Sequence, residues 1–203
     1  PPGLVLTPEF LANFSTAGDG WRKARVKAIW RFFGKRPLAV RSSGALEDGD
    51  AMSFAGVFES ILDCDRASLA DAILKVCASF RAANASAYLE GAGGHPGHVL
   101  IQPMVDARYA GVLFTEAIEQ PGQMQIEMVE GTGDKLVSGL ATPLAFRVGR
   151  ISGAISGKTS PPIDLAPLVT LAHRVEAIYG CPQDIEWAFD GERFVLLQAR
   201  DVT

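Results

Sequence analysis

The chain closes with the stretch QDIEWAFDGERFVLLQAR, which runs from Gln183 to Arg200. Two runs of largely alternating apolar and polar residues stand on either side of the dipeptide Asp190-Gly191. Alternation with a period of two is typical of a half-buried strand, and Asp-Gly is a favoured hairpin turn. The stretch therefore predicts a β-hairpin.

The predicted hairpin has an apolar and a polar face, because successive side chains of a strand point to opposite sides. The apolar set is expected to contain Ile185, Trp187, Phe189, Val195, Leu197 and Ala199. The polar set is expected to contain Asp184, Glu186, Gln198 and Arg200. The two strands bring their polar residues to one face if the loop holds an odd number of residues, as a loop from Asp190 to Glu192 would.

Two interpretations of this polar face stay open at this point. Carboxylate and amide oxygens are suitable ligands for Mg²⁺, and an arginine is suited to a phosphoryl group. The face would then bind a metal ion together with a polyphosphate. Alternatively, the stretch is an ordinary half-exposed hairpin whose charged side chains are solvated.

Composition narrows the class of protein. With 203 residues, of which 48% are hydrophobic, the chain is long enough for one sizeable core or for two lobes. Its net charge of −4 gives no electrostatic case for nucleic acid, and no run of about 18 apolar residues predicts a membrane span. The three cysteines are widely spaced without a CxxC pair, which disfavours structural zinc and favours a reducing, cytoplasmic setting.

A second polar group follows an apolar run near position 40. The segment LAVRSSG, from Leu38 to Gly44, predicts a short buried strand that carries an arginine and two serines at its end. Ser53-Phe54-Ala55-Gly56 precedes a further predicted strand, Val57–Leu62. Small residues beside strand ends let backbone N–H groups approach an anion, so the region is a candidate phosphate-binding loop. The alternative is a tight turn with capping serines.

Segments spread over nearly the whole chain form a recognisable series. They are VRSSGALED (Val40–Asp48), SFAGVFES (Ser53–Ser60), IQPMV (Ile101–Val105), AGVLFT (Ala110–Thr115), IE (Ile126-Glu127), GTGDKLVSG (Gly131–Gly139), PQDIEWA (Pro182–Ala188) and LQAR (Leu197–Arg200). In this order they resemble the nucleotide-binding domain of the phosphoenolpyruvate synthase, pyruvate phosphate dikinase and rifampin phosphotransferase family. The resemblance implies an α+β fold of the ATP-grasp type. ATP and Mg²⁺ would lie between an N-terminal lobe, residues 1–97, and a C-terminal lobe, residues 98–203.

The resemblance also implies roles for residues of the N-terminal lobe and for residues at the linker between the two lobes. Arg41 would contact the polyphosphate and take part in catalysis, and Gly56 and Ser60 would lie on the loop that covers it. Gln102 would lie at the linker beside the adenine, where the backbone from Pro103 through Met104 to Val105 can read the edge of the base.

Three residues of the closing hairpin complete the implied site. Glu186 and Gln198 would hold Mg²⁺ and the nucleotide, and Arg200 would contact a terminal phosphate as a second catalytic residue. Alternation together with a loop of an odd number of residues places these three side chains on one face without the resemblance. We expect Glu186 and Gln198 to reach the same metal ion.

The implied function is that of an ATP-dependent phosphotransferase of the dikinase type. Such a protein passes a phosphoryl group from ATP to a histidine carrier or to a small-molecule acceptor. In this sequence the family's lysine-bearing ATP-binding segment would lie before Pro1, and the histidine motif of its swivelling domain is absent. Two alternatives therefore stay open, a compact stand-alone ATP-grasp kinase or ligase and a nucleotide-binding subunit without turnover. No nucleic-acid or membrane partner is expected.

Overall fold

The computed structural model describes residues 2–43, 60–89, 97–133 and 142–202. Within these residues the strands are β1 (Leu4–Leu6), β2 (Leu38–Ser43), β3 (Ser60–Cys64), β4 (His98–Pro103), β5 (Tyr109–Phe114), β6 (Gln123–Glu130), β7 (Leu144–Gly149), β8 (Ile155–Gly157), β9 (Gln183–Phe189) and β10 (Phe194–Asp201). The helices there are α1 (Pro8–Thr16), α2 (Asp19–Phe32), α3 (Leu69–Leu89) and α4 (Ala166–Tyr179). In this part of the chain, no helix combines the length and the apolar character needed to cross a lipid bilayer.

The chain divides into two compact units, Pro1–Met104 and Val105–Thr203. The sequence predicted the boundary between residues 97 and 98, before β4. The structure differs because β4 pairs with β1 on one side and with β2 on the other. A strand held by two neighbours belongs to their sheet, so the first unit extends through β4.

The first unit contains a four-stranded antiparallel sheet in the order β1-β4-β2-β3. Its core joins the sheet to the helices through fully buried side chains, among them Phe14 on α1, Ile73 on α3 and Ile101 on β4. The buried run Leu38–Val40 anchors β2 between β3 and β4, and Arg41 follows directly. The core therefore fixes the backbone of the strand that carries this arginine.

The second unit contains a six-stranded antiparallel sheet in the order β10-β9-β5-β6-β7-β8. Helix α4 packs on one face, where Leu168, Ala172 and Val175 join the core of the sheet. The strand residues of this core include the fully buried Leu113, Ile126, Phe146, Ile185 and Trp187. Because side chains alternate along each strand, the residues between these positions form the opposite face.

The closing hairpin, β9 and β10, differs from the prediction in its loop. Phe189 pairs with Phe194, so the loop holds the four residues 190–193 and not the odd number that a shared polar face requires by alternation. With four residues alone, Gln198 would point to the apolar face. A β-bulge between Leu196 and Gln198 inserts one extra residue and reverses the alternation beyond it.

The bulge also changes which residues of β10 are apolar-facing. Phe194, Leu196 and Ala199 pack against the core, in place of the predicted set Val195, Leu197 and Ala199. Val195 lies opposite Ala188 on the other face, and Leu197 is the bulged residue. The residues expected to share the polar face nevertheless do so, because the loop length and the bulge offset each other: they are Asp184, Glu186, Gln198 and Arg200.

Candidate functional site

The face of the second sheet opposite α4 carries two rows of side chains that run across the strands. The first row consists of Gln198, Glu186, Val112 and Glu127, on β10, β9, β5 and β6. The second row consists of Arg200, Asp184, Phe114, Gln125 and Arg147, on β10, β9, β5, β6 and β7. We call these nine residues the polar face, and they include every predicted site residue of the second unit.

Glu186 and Gln198 are direct cross-strand partners in the first row. The Cβ atoms of such partners lie about 5 Å apart on the same side of a sheet. Two oxygen-bearing side chains at this spacing are able to converge on one small cation. The structure thus brings the two residues together, and their assignment as metal ligands stays a prediction.

Arg200 forms an ion pair with Asp184 in the second row. The Nε and Nη2 groups of Arg200 donate hydrogen bonds to Oδ2 of Asp184 at 2.9 and 2.8 Å. The Asp184 side chain is 10% exposed, whereas that of Arg200 is 51% exposed. Asp184 therefore orients the guanidinium from the sheet side, and Arg200 extends toward solvent, where an anion can reach it.

The other carboxylate oxygen of Asp184 indicates that the polar face accommodates a further group. Among the described residues, Oδ1 is buried and accepts no hydrogen bond. Buried acceptors are nearly always satisfied, by protein, by water or by a bound ion. This atom lies on the row next to Glu186 and Gln198.

The oxygen donors of the polar face fit Mg²⁺. This ion is usually held by one or two carboxylates together with waters and substrate phosphates, rather than by a complete protein cage. In the ranges that the structure describes, no group of three or more histidine, cysteine or acidic side chains could hold a metal by itself. An ion here would therefore complete its coordination with waters and with the phosphates of a nucleotide.

The first unit holds the remaining predicted residues. Arg41 on β2 lies directly opposite Ser60 on β3, so these two side chains share a face of the first sheet. Gln102 is half-buried on β4, and Met104 follows that strand. The backbone N–H of Met104 donates to the carbonyl of Pro37 at 2.9 Å, so this N–H does not serve to read a base.

Gly56 lies outside the described residues, as does most of the predicted phosphate-binding loop.

Sequence reasoning missed Glu127 and Gln125 as candidates on the polar face. The Nε2 group of Gln125 donates a hydrogen bond of 2.7 Å to Oε1 of Glu127, and both side chains are half-buried. The signal that could have revealed them is the alternation QMQIEMVE on β6, in which Met124, Ile126 and Met128 are buried. The polar residues between them must face the other way.

A hydrogen bond between the start of β9 and the end of β10 holds the two strands together beside the Asp184–Arg200 ion pair. The side-chain amide of Gln183, which is buried, donates to Oδ1 of Asp201 at 2.6 Å, and its backbone N–H donates to the Thr115 hydroxyl at 2.8 Å. The amide lowers the pKa of Asp201, since it stabilises the charged carboxylate. Gln183 thereby ties β10 to β9 one residue from Asp184 and Arg200.

The sequence matches the model of one protein family over almost its whole length. That family is described as pyruvate phosphate dikinase, AMP/ATP-binding domain, and it matches residues 22–162 and 163–203. The chain belongs to this family. Membership confirms the recognised family and the predicted α+β fold of the ATP-grasp type, and it agrees with ATP as the predicted ligand.

Three relatives illustrate the range of proteins that contain such a domain. The chain is 30% identical over 82% of its length to a probable phosphoenolpyruvate synthase of Archaeoglobus fulgidus, and covers 27% of that protein. It is 32% identical over 82% of its length to the prodigiosin synthesizing transferase PigC of Serratia marcescens, covering 22% of it. It is 30% identical over 87% of its length to a rifampicin phosphotransferase of a Streptomyces species, covering 24%. The chain thus spans about a quarter of these relatives.

Proposed function

We propose that this chain is the Mg-ATP-binding module of a phosphotransferase of the phosphoenolpyruvate synthase and pyruvate phosphate dikinase type. The observation that supports it best is the polar face, on which Glu186 and Gln198 oppose each other beside the Asp184–Arg200 ion pair. Family membership supports the nucleotide, and the names of the relatives support phosphoryl transfer. We also propose a cytoplasmic location, since the three widely spaced cysteines favour a reducing compartment.

Glu186 and Gln198 are the proposed ligands of Mg²⁺, and Arg200 is the proposed contact of a terminal phosphate. When bound, the ion neutralises phosphate charge and orients the polyphosphate for transfer. Arg200 stabilises the charge that develops on the transferred phosphoryl group, an effect that is largest when the cation is positioned in advance. Asp184 provides that positioning, since two N–H groups of Arg200 are bonded to one of its oxygens.

Residues of the first unit are proposed to bind the rest of the nucleotide. Arg41, with Ser60 and Gly56, would contact the polyphosphate, while Gln102 and the backbone after Met104 would adjoin the adenine. The family resemblance supports these roles. The phosphoryl group would then pass to a histidine carrier or to a small-molecule acceptor, and a requirement for a histidine-bearing protein in a transfer assay distinguishes the first case from the second.

Calorimetric titration of the chain with ATP at several Mg²⁺ concentrations tests the proposal. We expect binding that requires the metal and that weakens by about tenfold, or 1.4 kcal/mol, in Glu186→Gln, because a ligand charge is lost. Arg200→Ala should weaken binding by a similar factor through the loss of a charge-assisted contact. Glu192→Gln, in the exposed hairpin loop, is the matched control and should bind as the wild type does. A folded wild-type chain that binds no Mg-ATP would refute the proposal, as would equal affinities for Glu186→Gln and Glu192→Gln.

A further inference from the structure

We infer that Glu127 is the residue that selects a ribonucleotide, its carboxylate accepting hydrogen bonds from the ribose hydroxyls of the bound ATP. This inference rests on the proposed function, because it assigns a further contact to the same nucleotide. Its basis is the position of Glu127 in the row of the proposed metal ligands, together with the orientation of its carboxylate.

The register fixes the distance of Glu127 from the proposed metal ligands. Val112 pairs with Glu186 on one side and with Glu127 on the other, so the two glutamates are separated by two strand spacings. Two spacings amount to about 10 Å. The half-buried Val112 stands between them and offers no oxygen to a cation. Glu127 therefore lies on the same face as Glu186 and Gln198, two strand spacings from Glu186 and three from Gln198.

The order of groups in ATP matches this separation. The metal-binding β- and γ-phosphates are followed by the α-phosphate and then by the ribose with its two vicinal hydroxyls. A nucleotide whose outer phosphates lie at Glu186 and that extends across β5 brings its ribose toward β6. A carboxylate that accepts from ribose hydroxyls is a common device for nucleotide recognition, as in dinucleotide-binding folds.

The hydrogen bonding of the Glu127 carboxylate suits such a role. Gln125 donates to Oε1 at 2.7 Å and thereby sets the orientation of the group, which leaves Oε2 to accept from a ligand. No basic side chain of the described residues forms an ion pair with Glu127. The amide of Gln125 occupies only one of the two carboxylate oxygens, and hydrogen bonds to a carboxylate belong to the stronger, charge-assisted class.

The test compares ATP with 2′-deoxy-ATP and 3′-deoxy-ATP by calorimetry in the presence of Mg²⁺. Wild type should bind ATP about tenfold more tightly than at least one deoxy analogue, a ratio expected for one hydrogen bond to a charged acceptor. In Glu127→Gln, which preserves the shape of the side chain, the ratio should fall toward one through weaker binding of ATP. Gln125→Met removes the orienting amide and should lower the ratio several-fold. The control is Glu130→Gln, an exposed residue of the same strand on the opposite face, which should keep the wild-type ratio.

The outcomes separate this inference from the proposed function. Wild type that binds ATP and both deoxy analogues equally, or a Glu127→Gln chain that keeps the wild-type ratio, overturns the inference while leaving Mg-ATP binding intact. A Glu127→Gln chain that loses all three nucleotides equally and needs more Mg²⁺ assigns Glu127 to a metal and also overturns it. Absence of ATP binding by the folded wild type refutes the proposed function, and the inference with it. Thermal unfolding of each variant establishes that it is folded at the temperature of titration.

Discussion

On the side of the second sheet that α4 covers, Ile185 and Trp187 are fully buried within a continuous apolar core. On the polar face, the alternate residues of the same strand, Asp184 and Glu186, present carboxylates to β10. The two faces depend on each other, because a shift of one residue along a strand exchanges the two sets of side chains. Burial of alternate residues in the core therefore determines which residues reach the polar face. On β10, the bulge at Leu197 brings Gln198 and Arg200 to that face.

The largest effect is expected from insertion of an alanine between Gln198 and Ala199, which reverses the alternation of β10 beyond Gln198. The side chain of Arg200 must then turn toward the core, or the last residues of β10 must give up their pairing. Placing an unpaired charge in an apolar core costs several kcal/mol. We therefore expect the free energy of unfolding to fall by at least about 4 kcal/mol in urea denaturation, with Mg-ATP binding lost.

The matched control is deletion of Leu197, which also changes the length of β10 by one residue but removes only the bulged residue, so that Gln198 and Arg200 stay opposite Glu186 and Asp184. Since Leu197 is half-buried and outside the core cluster, this variant should lose about 1 kcal/mol or less. Equal losses for the insertion and the deletion would show that the length of β10 matters by itself and that the alternation of its side chains does not.

A second pair of variants acts on the core face alone. Trp187→Ala should lower the free energy of unfolding by about 3 to 5 kcal/mol, because it leaves a large cavity beneath α4. Trp187→Phe should cost clearly less, since it keeps a ring and removes the indole Nε1, a buried donor without a hydrogen-bond partner among the described residues. Thermal or urea unfolding measures both. A phenylalanine variant as unstable as the alanine variant would contradict this account of the core.

The smallest effect concerns the ion pair that fastens α4 to the sheet. Arg150 donates to both carboxylate oxygens of Glu176, at 3.0 and 2.5 Å, and to the backbone carbonyl of Thr115. The two side chains are 21% and 20% exposed. The arginine lowers the pKa of Glu176, because its hydrogen bonds and charge favour the ionised carboxylate. Glu176→Gln should therefore cost about 1 to 2 kcal/mol near neutral pH.

The lowered pKa gives this contribution a defined pH dependence. The folded protein binds the proton of Glu176 more weakly than the unfolded chain, in which the glutamate has its ordinary pKa of 4.5. The stabilisation is thus fully present above that pH and is lost as the pH falls through the lower, native pKa. Unfolding curves of wild type and Glu176→Gln from pH 7 to pH 3 should converge toward the acid end. A difference that stays constant over this range would show that the ion pair does not stabilise the fold.

The sequence was sufficient to predict the hairpin, because the alternation in β9 is regular. It was also sufficient to predict the family and the fold class, because several segments occur in a recognisable order. It could not yield the register of β10. The run Phe194-Val195-Leu196-Leu197 is continuously apolar, so no period of two marks which residues face the core. The bulge depends on how those four side chains pack against Trp187 and its neighbours, which is a property of the assembled sheet.

Local sequence patterns also could not predict two further features: the boundary between the units, and two residues of the polar face. β4 belongs to the first unit through its pairing with β1, a contact between residues about a hundred positions apart that no local segment encodes. Gln125 and Glu127 were missed because the polar positions of a half-buried strand look alike whether they face water or a ligand. Only the register sets them apart, because it aligns Glu127 with Glu186 through Val112 and Gln125 with Asp184 through Phe114.

β10 is the outermost strand of its sheet, so one of its edges presents backbone N–H and C=O groups that no described strand pairs. Exposed strand edges invite pairing with other chains, and proteins commonly block such pairing with charges or with an irregular backbone. The bulge at Leu197 interrupts the regular spacing of this edge, and Arg200 adds a half-exposed charge close by. The distortion that directs two side chains to the polar face thus also hinders edge-to-edge aggregation, and deletion of Leu197 would make this edge regular and weaken the protection against aggregation while keeping the polar face.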